Sequence, residues 1–208
     1  MKIIKFLILM LMIPAFSSAQ NNSRFGLKGG VNLSNLYSDD VSDKNSQFGF
    51  QGGLFLKIAL TDYISFQPEV IYTMKGAELK YENDFVTGTA NFRLNYIEVP
   101  VLAVINLTTK FNVHGGFYIA TLSDVSVKNE SSIGAFDFEK ELNKNDFEKT
   151  DYGLVAGIGG DFDKISVGLR YDYGLRSVGK EKTIGGQTRR FPDSKNSTLQ
   201  LYVSISIL

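Results

Sequence analysis

Residues 198–207 read Thr-Leu-Gln-Leu-Tyr-Val-Ser-Ile-Ser-Ile, an unbroken alternation of apolar and polar side chains. Leu199, Leu201, Val203, Ile205 and Ile207 fall on one face. Thr198, Gln200, Tyr202, Ser204 and Ser206 fall on the other, the period of a β-strand with one oily and one polar side. The preceding segment repeats the pattern: Ile165, Val167, Leu169, Tyr171, Tyr173 and Leu175 against Ser166, Gly168, Arg170, Asp172, Gly174 and Arg176.

Read back toward the N-terminus, six more segments alternate: about 24–33, 48–59, 63–75, 92–105, 111–122 and 151–162. Pro100 interrupts the fourth of these, and a bulge there is the expected accommodation, because proline cannot donate to a ladder. The connections run long (34–47), short (60–62), long (76–91), short (106–110), longest (123–150), short (161–164) and long (177–196). Short turns at one end and long loops at the other are the layout of an outer-membrane barrel. The expected fold is therefore all-β, an eight-stranded antiparallel up-and-down transmembrane β-barrel.

The first nineteen residues read differently. Lys2 and Lys5 precede an apolar run from Phe6 to Ile13, then Pro14 and a small-x-small site at Ser17-Ser18-Ala19. That is the layout of a cleaved secretory signal, too short to span a bilayer, so the expected organisation is a signal peptide at 1–19 and one barrel domain at 20–208. Its removal leaves 20 basic against 22 acidic residues, a balance that gives no support to nucleic-acid binding. With no cysteine, the chain has neither disulfides nor thiolate chemistry.

The same alternation would suit a soluble barrel with its faces reversed. Two features favour lipid outside. The polar positions are rich in Gly and Ser, with Gly-Gly pairs at 29–30, 52–53, 115–116 and 159–160, as a narrow interior filled from eight strands requires. The outward aromatics also sort into two groups: Phe25, Phe66, Phe111 and Phe162 near the short-turn rim, and Phe48, Phe50, Tyr72, Tyr152, Tyr171 and Tyr173 near the other. Girdles of this kind mark the two lipid–water boundaries.

Several segments together resemble the PorT-like group of the porin family of outer-membrane β-barrels. They are Phe25-Gly-Leu-Lys-Gly-Gly-Val-Asn-Leu-Ser34, Phe66-Gln-Pro-Glu-Val-Ile-Tyr72, Tyr96-Ile-Glu-Val-Pro-Val101, Asp151-Tyr-Gly-Leu-Val-Ala-Gly157 and Leu169-Arg-Tyr-Asp-Tyr-Gly-Leu175. The resemblance covers nearly all of residues 20–208 and extends to small barrels of the OmpA and OmpX kind. It implies an outer-membrane location. Some relatives look like accessories of a protein-secretion system, which implies a secretion or envelope component as partner beside the bilayer itself. One departure is the terminal Leu208, where many such barrels end in an aromatic residue.

Two groups of residues are candidates for function. The inward face carries Lys28, Lys57, Glu69, Lys75, Glu98, Arg170, Asp172 and Arg176. Confined opposite charges should pair, since an unpaired buried charge is very costly. A packed ion-pair plug is the structural reading and a narrow ion path the functional one. His114 faces the same interior but lies near the short-turn end, where a packing role outweighs that of a catalytic base. No residue pattern calls for a metal or a cofactor; Asp39, Asp40 and Asp43 lack the register of a calcium loop. The outer loops form the second group. Residues 123–150 carry seven acids against four lysines, with Phe136, Phe138 and Phe147 interleaved; residues 177–196 are basic and include Arg189, Arg190 and Phe191. Loops on a rigid scaffold commonly do the binding. The expected function is a non-enzymatic binding, accessory or envelope-structural protein acting through its outer loops. A narrow porin for small solutes or ions is the alternative, and a lipid-modifying enzyme a remote one.

Overall fold

The alternating segments form eight long strands: β1 (Arg24–Tyr37), β2 (Gln47–Ala59), β3 (Ile64–Asn83), β4 (Val86–Asn106), β5 (Phe111–Ser131), β6 (Thr150–Phe162), β7 (Ile165–Ser177) and β8 (Lys195–Ser206). The computed structural model describes residues 23–37, 44–83, 86–131, 138–141, 147–179, 182–184, 187–189 and 195–207. The candidate signal segment 1–19 lies outside them. Each strand pairs antiparallel with its sequence neighbours, and β1 also pairs with β8, where Leu27 faces Ile205 and Asn32 faces Gln200. The sheet is thus closed on itself and leaves no open edge around the cylinder.

Parity assigns the faces. Leu27, Phe50, Leu54, Phe117, Ile119, Leu154, Ile158, Leu169, Leu201, Val203 and Ile205 are exposed on the outer wall. Asn32, Glu69, Thr73, Lys75, Glu98, Arg170, Thr198 and Gln200 are buried within. A belt of exposed apolar side chains costs roughly 25 cal/mol per Å² in water and nothing in hydrocarbon, so the arrangement suits a bilayer. Phe25, Phe66, Phe111 and Phe162 are exposed near the short-turn end, and Phe48, Phe50, Tyr72, Tyr152 and Tyr171 near the other. Leu56 departs from its expected outward exposure: it is covered to 7% beside its cross-strand partner Phe25.

Large inward side chains face glycine. Tyr202 lies opposite Gly168, Tyr118 opposite Gly153 and Phe55 opposite Gly26. A Cβ at Gly168 would sit 2.4 Å from the Tyr202 ring, so the missing side chain is what lets the ring lie flat across the neighbouring strand. Two short turns repeat one device: the Thr61 hydroxyl accepts the amides of Tyr63 and Ile64, and the Thr108 hydroxyl those of Lys110 and Phe111.

The strands reach further outward than the sequence pattern suggests. β3 and β4 continue as a paired hairpin to Asn83 and Val86, so the expected loop at 76–91 is mostly sheet. β5 runs to Ser131, taking nine residues from the expected third loop. Short strands flank this extension: Lys44–Asn45 pairs with β3 and Phe138–Glu141 with β5. A further small hairpin joins Lys182–Ile184 to Gln187–Arg189. A transmembrane strand needs about 9–11 residues, whereas β3, β4 and β5 have 20, 21 and 21.

Above the bilayer the faces invert. Ala77, Leu94, Val125 and Val127 are buried inside, with Arg93, Ser126 and Lys128 on the other side. In β3 and β4 the inward parity runs on unchanged, with Ala77 following Lys75 and Leu94 following Tyr96, and only the character of the inner side chains changes; two local features accompany this. Gly76 takes φ of 150°, and a Cβ there would strike the Phe92 carbonyl oxygen. In β5, Asn95 faces Asp124 while Tyr96 faces Leu122, so Ser123 is an extra, bulged residue that moves the inward parity from even to odd. The bulge is therefore at Ser123 rather than at Pro100, which keeps regular register with Tyr118. The prolines instead coincide with missing rungs. The β3–β4 ladder lacks pairs between Pro68/Val101 and Ile71/Glu98, and the β2–β3 ladder lacks pairs between Phe55/Glu69 and Ile58/Phe66.

Candidate functional site

The lumen is built from inward positions of all eight strands and is organised in layers. At the short-turn end, Lys57 Nζ lies 3.0 Å from Asp161 Oδ2. The Asn112 amide donates to that same oxygen and the Ser166 hydroxyl to Oδ1. His114 lies just above, with Nδ1 3.2 Å from Asn112 Oδ1 and Nε2 accepting from Arg170 Nε at 3.4 Å. That pattern assigns the proton to Nδ1. The histidine is a hydrogen-bonded packing residue between two layers. A pocket of about 20 Å³ opens beside it, room for about one water.

The central layer is held by Glu69, which is fully buried. Arg170 clamps it with two parallel bonds, Nη1 to Oε2 at 2.8 Å and Nη2 to Oε1 at 2.9 Å. Lys28 Nζ adds a contact at 3.0 Å to Oε2, and Gln67 donates to Oε1 at 2.7 Å. Forked guanidinium–carboxylate contacts are the strongest class of ion pair a protein makes. Tyr202 lies beside both cations, its ring centroid 3.9 Å from Lys28 Nζ and 5.1 Å from the Arg170 guanidinium.

A second cluster surrounds Lys75. It pairs closely with Glu98, lies 3.8 Å from Asp172 Oδ2 and sits over the Tyr118 ring at 4.2 Å. Gln200 donates to Asp172 Oδ2 at 2.6 Å, while Asp172 Oδ1 has no hydrogen-bond partner. Two carboxylates thus share one lysine. Nearer the mouth, Asp151 accepts from the Tyr118 hydroxyl at 3.0 Å and from the Asn196 amide at 2.8 Å.

Over these layers lies an apolar roof of Leu94, Tyr96, Leu122, Val125 and Val178, with Phe147 packed against it. Residues 147–149 continue β6 outward, held between the same two neighbours, β5 and β7. Phe147 bridges to Gly179, the Glu148 amide donates to the Val178 carbonyl, and the Leu122 amide donates to the Lys149 carbonyl. Arg176 Nη2 on β7 pairs with Glu148 Oε2 of this continuation at 2.7 Å.

The inward charges named from sequence therefore divide. Lys28, Glu69 and Arg170 form one cluster, and Lys75, Glu98 and Asp172 another; Lys57 pairs apart with Asp161. Arg176 belongs to the mouth, not to the lumen layers, because it sits at the outer end of β7 and is half-exposed. Of the outer aromatics, Phe147 turns onto the roof instead of standing out from the surface. Phe138 and Arg189 fall in short strands described by backbone alone; Phe136, Arg190, Phe191, Asp39, Asp40 and Asp43 lie outside the described residues. Among the described residues, no three His, Asp or Glu side chains gather as a metal site would need. The contributors that sequence reading passed over are Gln67, Asn112, Asp151, Asp161, Asn196, Gln200 and Tyr202. Inward parity was their only signal, since most of them are uncharged and the two acids stand at strand ends.

The family described as outer membrane protein beta-barrel domain matches residues 18–179. Among solved structures, Neisserial surface protein A is similar at 14% identity with a TM-score of 0.55, covering 90% of this chain and all of that one. The attachment invasion locus protein Ail of Yersinia pestis, solved in complex with the heparin analogue sucrose octasulfate, is similar at 14% identity with a TM-score of 0.50 and the same coverage. At that identity the likeness is one of fold. Among curated proteins, none matches the chain.

Proposed function

Because the chain belongs to the outer membrane protein beta-barrel domain family, we propose that it is a closed, non-conducting outer-membrane anchor whose working surface is its outer end. The observation that carries this reading is the filling of the lumen. Glu69, Arg170, Lys75, Glu98 and Asp172 are each at most 2% exposed, so water does not reach them, and a hydrated ion is larger still. Eight strands leave an interior just wide enough for side chains. The apolar roof, with Phe147 packed against it, adds a second closure above the first.

With the bore closed, binding falls to the parts that leave the bilayer. The β3–β4–β5 extension is a paired sheet held on the barrel, residues 147–149 bond to β5 at Leu122, and a small basic hairpin joins Lys182–Ile184 to Gln187–Arg189. Such a platform suits recognition of a folded protein. The PorT-like motifs at residues 25–34, 66–72 and 96–101 support a partner drawn from the secretion or envelope machinery.

The test is single-channel recording of refolded residues 20–208 in a planar bilayer. Folded, inserted protein is expected to stay electrically silent. Steady openings whose size or ion preference changes on Arg170→Gln would replace the anchor with a narrow porin.

A further inference from the structure

The outer wall has a furrow near the short-turn end. Gly160 on β6 lies outward between Phe111 of β5 and Val167 of β7, and the Phe162 ring packs over it, 3.0 Å from where a Cβ would stand. The space opened there measures about 510 Å³ and is bounded by Phe111, Val113, Ile158, Val167, Leu169 and Leu201, all apolar. It faces the bilayer, where hydrocarbon is the available filling.

Cations gather at its foot. The Asp161 amide donates to the Lys110 carbonyl at 2.8 Å, which draws the β4–β5 turn against β6 one residue past Gly160. Lys164 stands in the β6–β7 turn, and both lysines are exposed. Arg24 stands on the lumen side, beside the small pocket near His114, and donates to the Asp163 carbonyl at 3.0 Å. The Asp161 carboxylate is turned into the lumen onto Lys57 and Ser166. That leaves Asp163 as the one acid in the β6–β7 turn to oppose the two lysines. Short turns lie on the periplasmic side of such barrels, so the charges sit at the headgroup level of the inner leaflet.

We propose that this furrow is a binding site for an anionic phospholipid of the inner leaflet, with one acyl chain along Ile158 and Leu169 and the headgroup phosphate between Lys110 and Lys164. Apolar lining and basic foot are the two halves of a lipid: neither a soluble metabolite nor a protein segment would meet both at this depth.

Native mass spectrometry of the full folded barrel in detergent tests it, with phosphatidylglycerol and phosphatidylcholine of matched chains as probes. One phosphatidylglycerol is expected to remain bound under activation that strips phosphatidylcholine. Lys110→Gln and Lys164→Gln should each weaken its retention about fivefold, the effect of one lysine near an anionic surface. Val167→Phe, which fills the furrow from a lipid-facing position, should release both lipids. Equal retention of the two lipids, or unchanged retention in the lysine pair and in Val167→Phe, overturns the site. The lysines lie in turns, so those variants keep the barrel intact, and retarded gel mobility of unheated protein verifies it.

Discussion

Glu69 and Asp172 are both buried carboxylates in one lumen, yet their surroundings differ enough to reverse the effect of losing the charge. Glu69 neutralises two cations and accepts from Gln67 as well. Glu69→Gln keeps the shape but strands Arg170 and Lys28 as buried charges, a loss of about 3–5 kcal/mol. Asp172 competes with Glu98 for Lys75 and leaves one oxygen unpartnered. Asp172→Asn retains the acceptor for Gln200 and removes an excess charge, so it should change stability by less than about 1 kcal/mol or raise it. Urea unfolding in lipid vesicles, followed by tyrosine fluorescence, ranks the two; equal losses would refute this account. Much of this was legible in sequence, because Lys28, Glu69, Arg170 and their neighbours stand out as charges at inward parity. Which acid meets which base was not, since pairs such as Arg170 and Glu69 join strands four apart in chain order across the lumen.

At the scale of the element, parity explains both what the sequence reveals and what it hides. The cores of β7 and β8 read cleanly because nothing disturbs their alternation. β5 reads as ending at Leu122 because the extra residue Ser123 shifts the phase, and Val125 and Val127 then look out of step. Deleting Ser123 removes the extra residue, so Asp124 follows Leu122 directly and Val125 and Val127 keep their inward places opposite the same β4 partners. The expected result is unchanged protease resistance beyond residue 122; faster cleavage there would mean that the extension needs the bulge itself to hold its place. β3 hides its outer half differently: beyond Gly76 the oily face is the inner one, so a search for outward apolar residues stops there. Gly76→Val forces a β-branched residue into φ of 150° beside the Phe92 carbonyl, a strain of about 1–3 kcal/mol. Lowered thermal stability of the extension, with the barrel transition unmoved, would register it.

For the whole molecule, closure and filling together predict indifference to salt. The ion pairs of Lys28, Glu69, Arg170, Lys75 and Glu98 lie out of reach of water, and buried pairs are screened far less than surface ones. The urea midpoint should therefore move little between low and high ionic strength. A marked fall with added salt would place the stabilising charges at the exposed Arg176–Glu148 latch instead. The alternation and loop rhythm of residues 24–207 conveyed the cylinder. The outward continuation of β6 through Phe147 was not legible, because its bonds to Val178 and Gly179 are made by backbone groups.

The seam between β1 and β8 also sets a timetable. Leu27 meets Ile205, so the rung that completes the cylinder joins positions separated by most of the chain. No early stretch emerging from the ribosome can assemble a finished wall, and contacts of such span form slowly. Throughout its passage across the aqueous periplasm the polypeptide carries eight unshielded oily stripes, each a template for mispairing. Whatever escorts it must mask those stripes as a set and release them together at the destination.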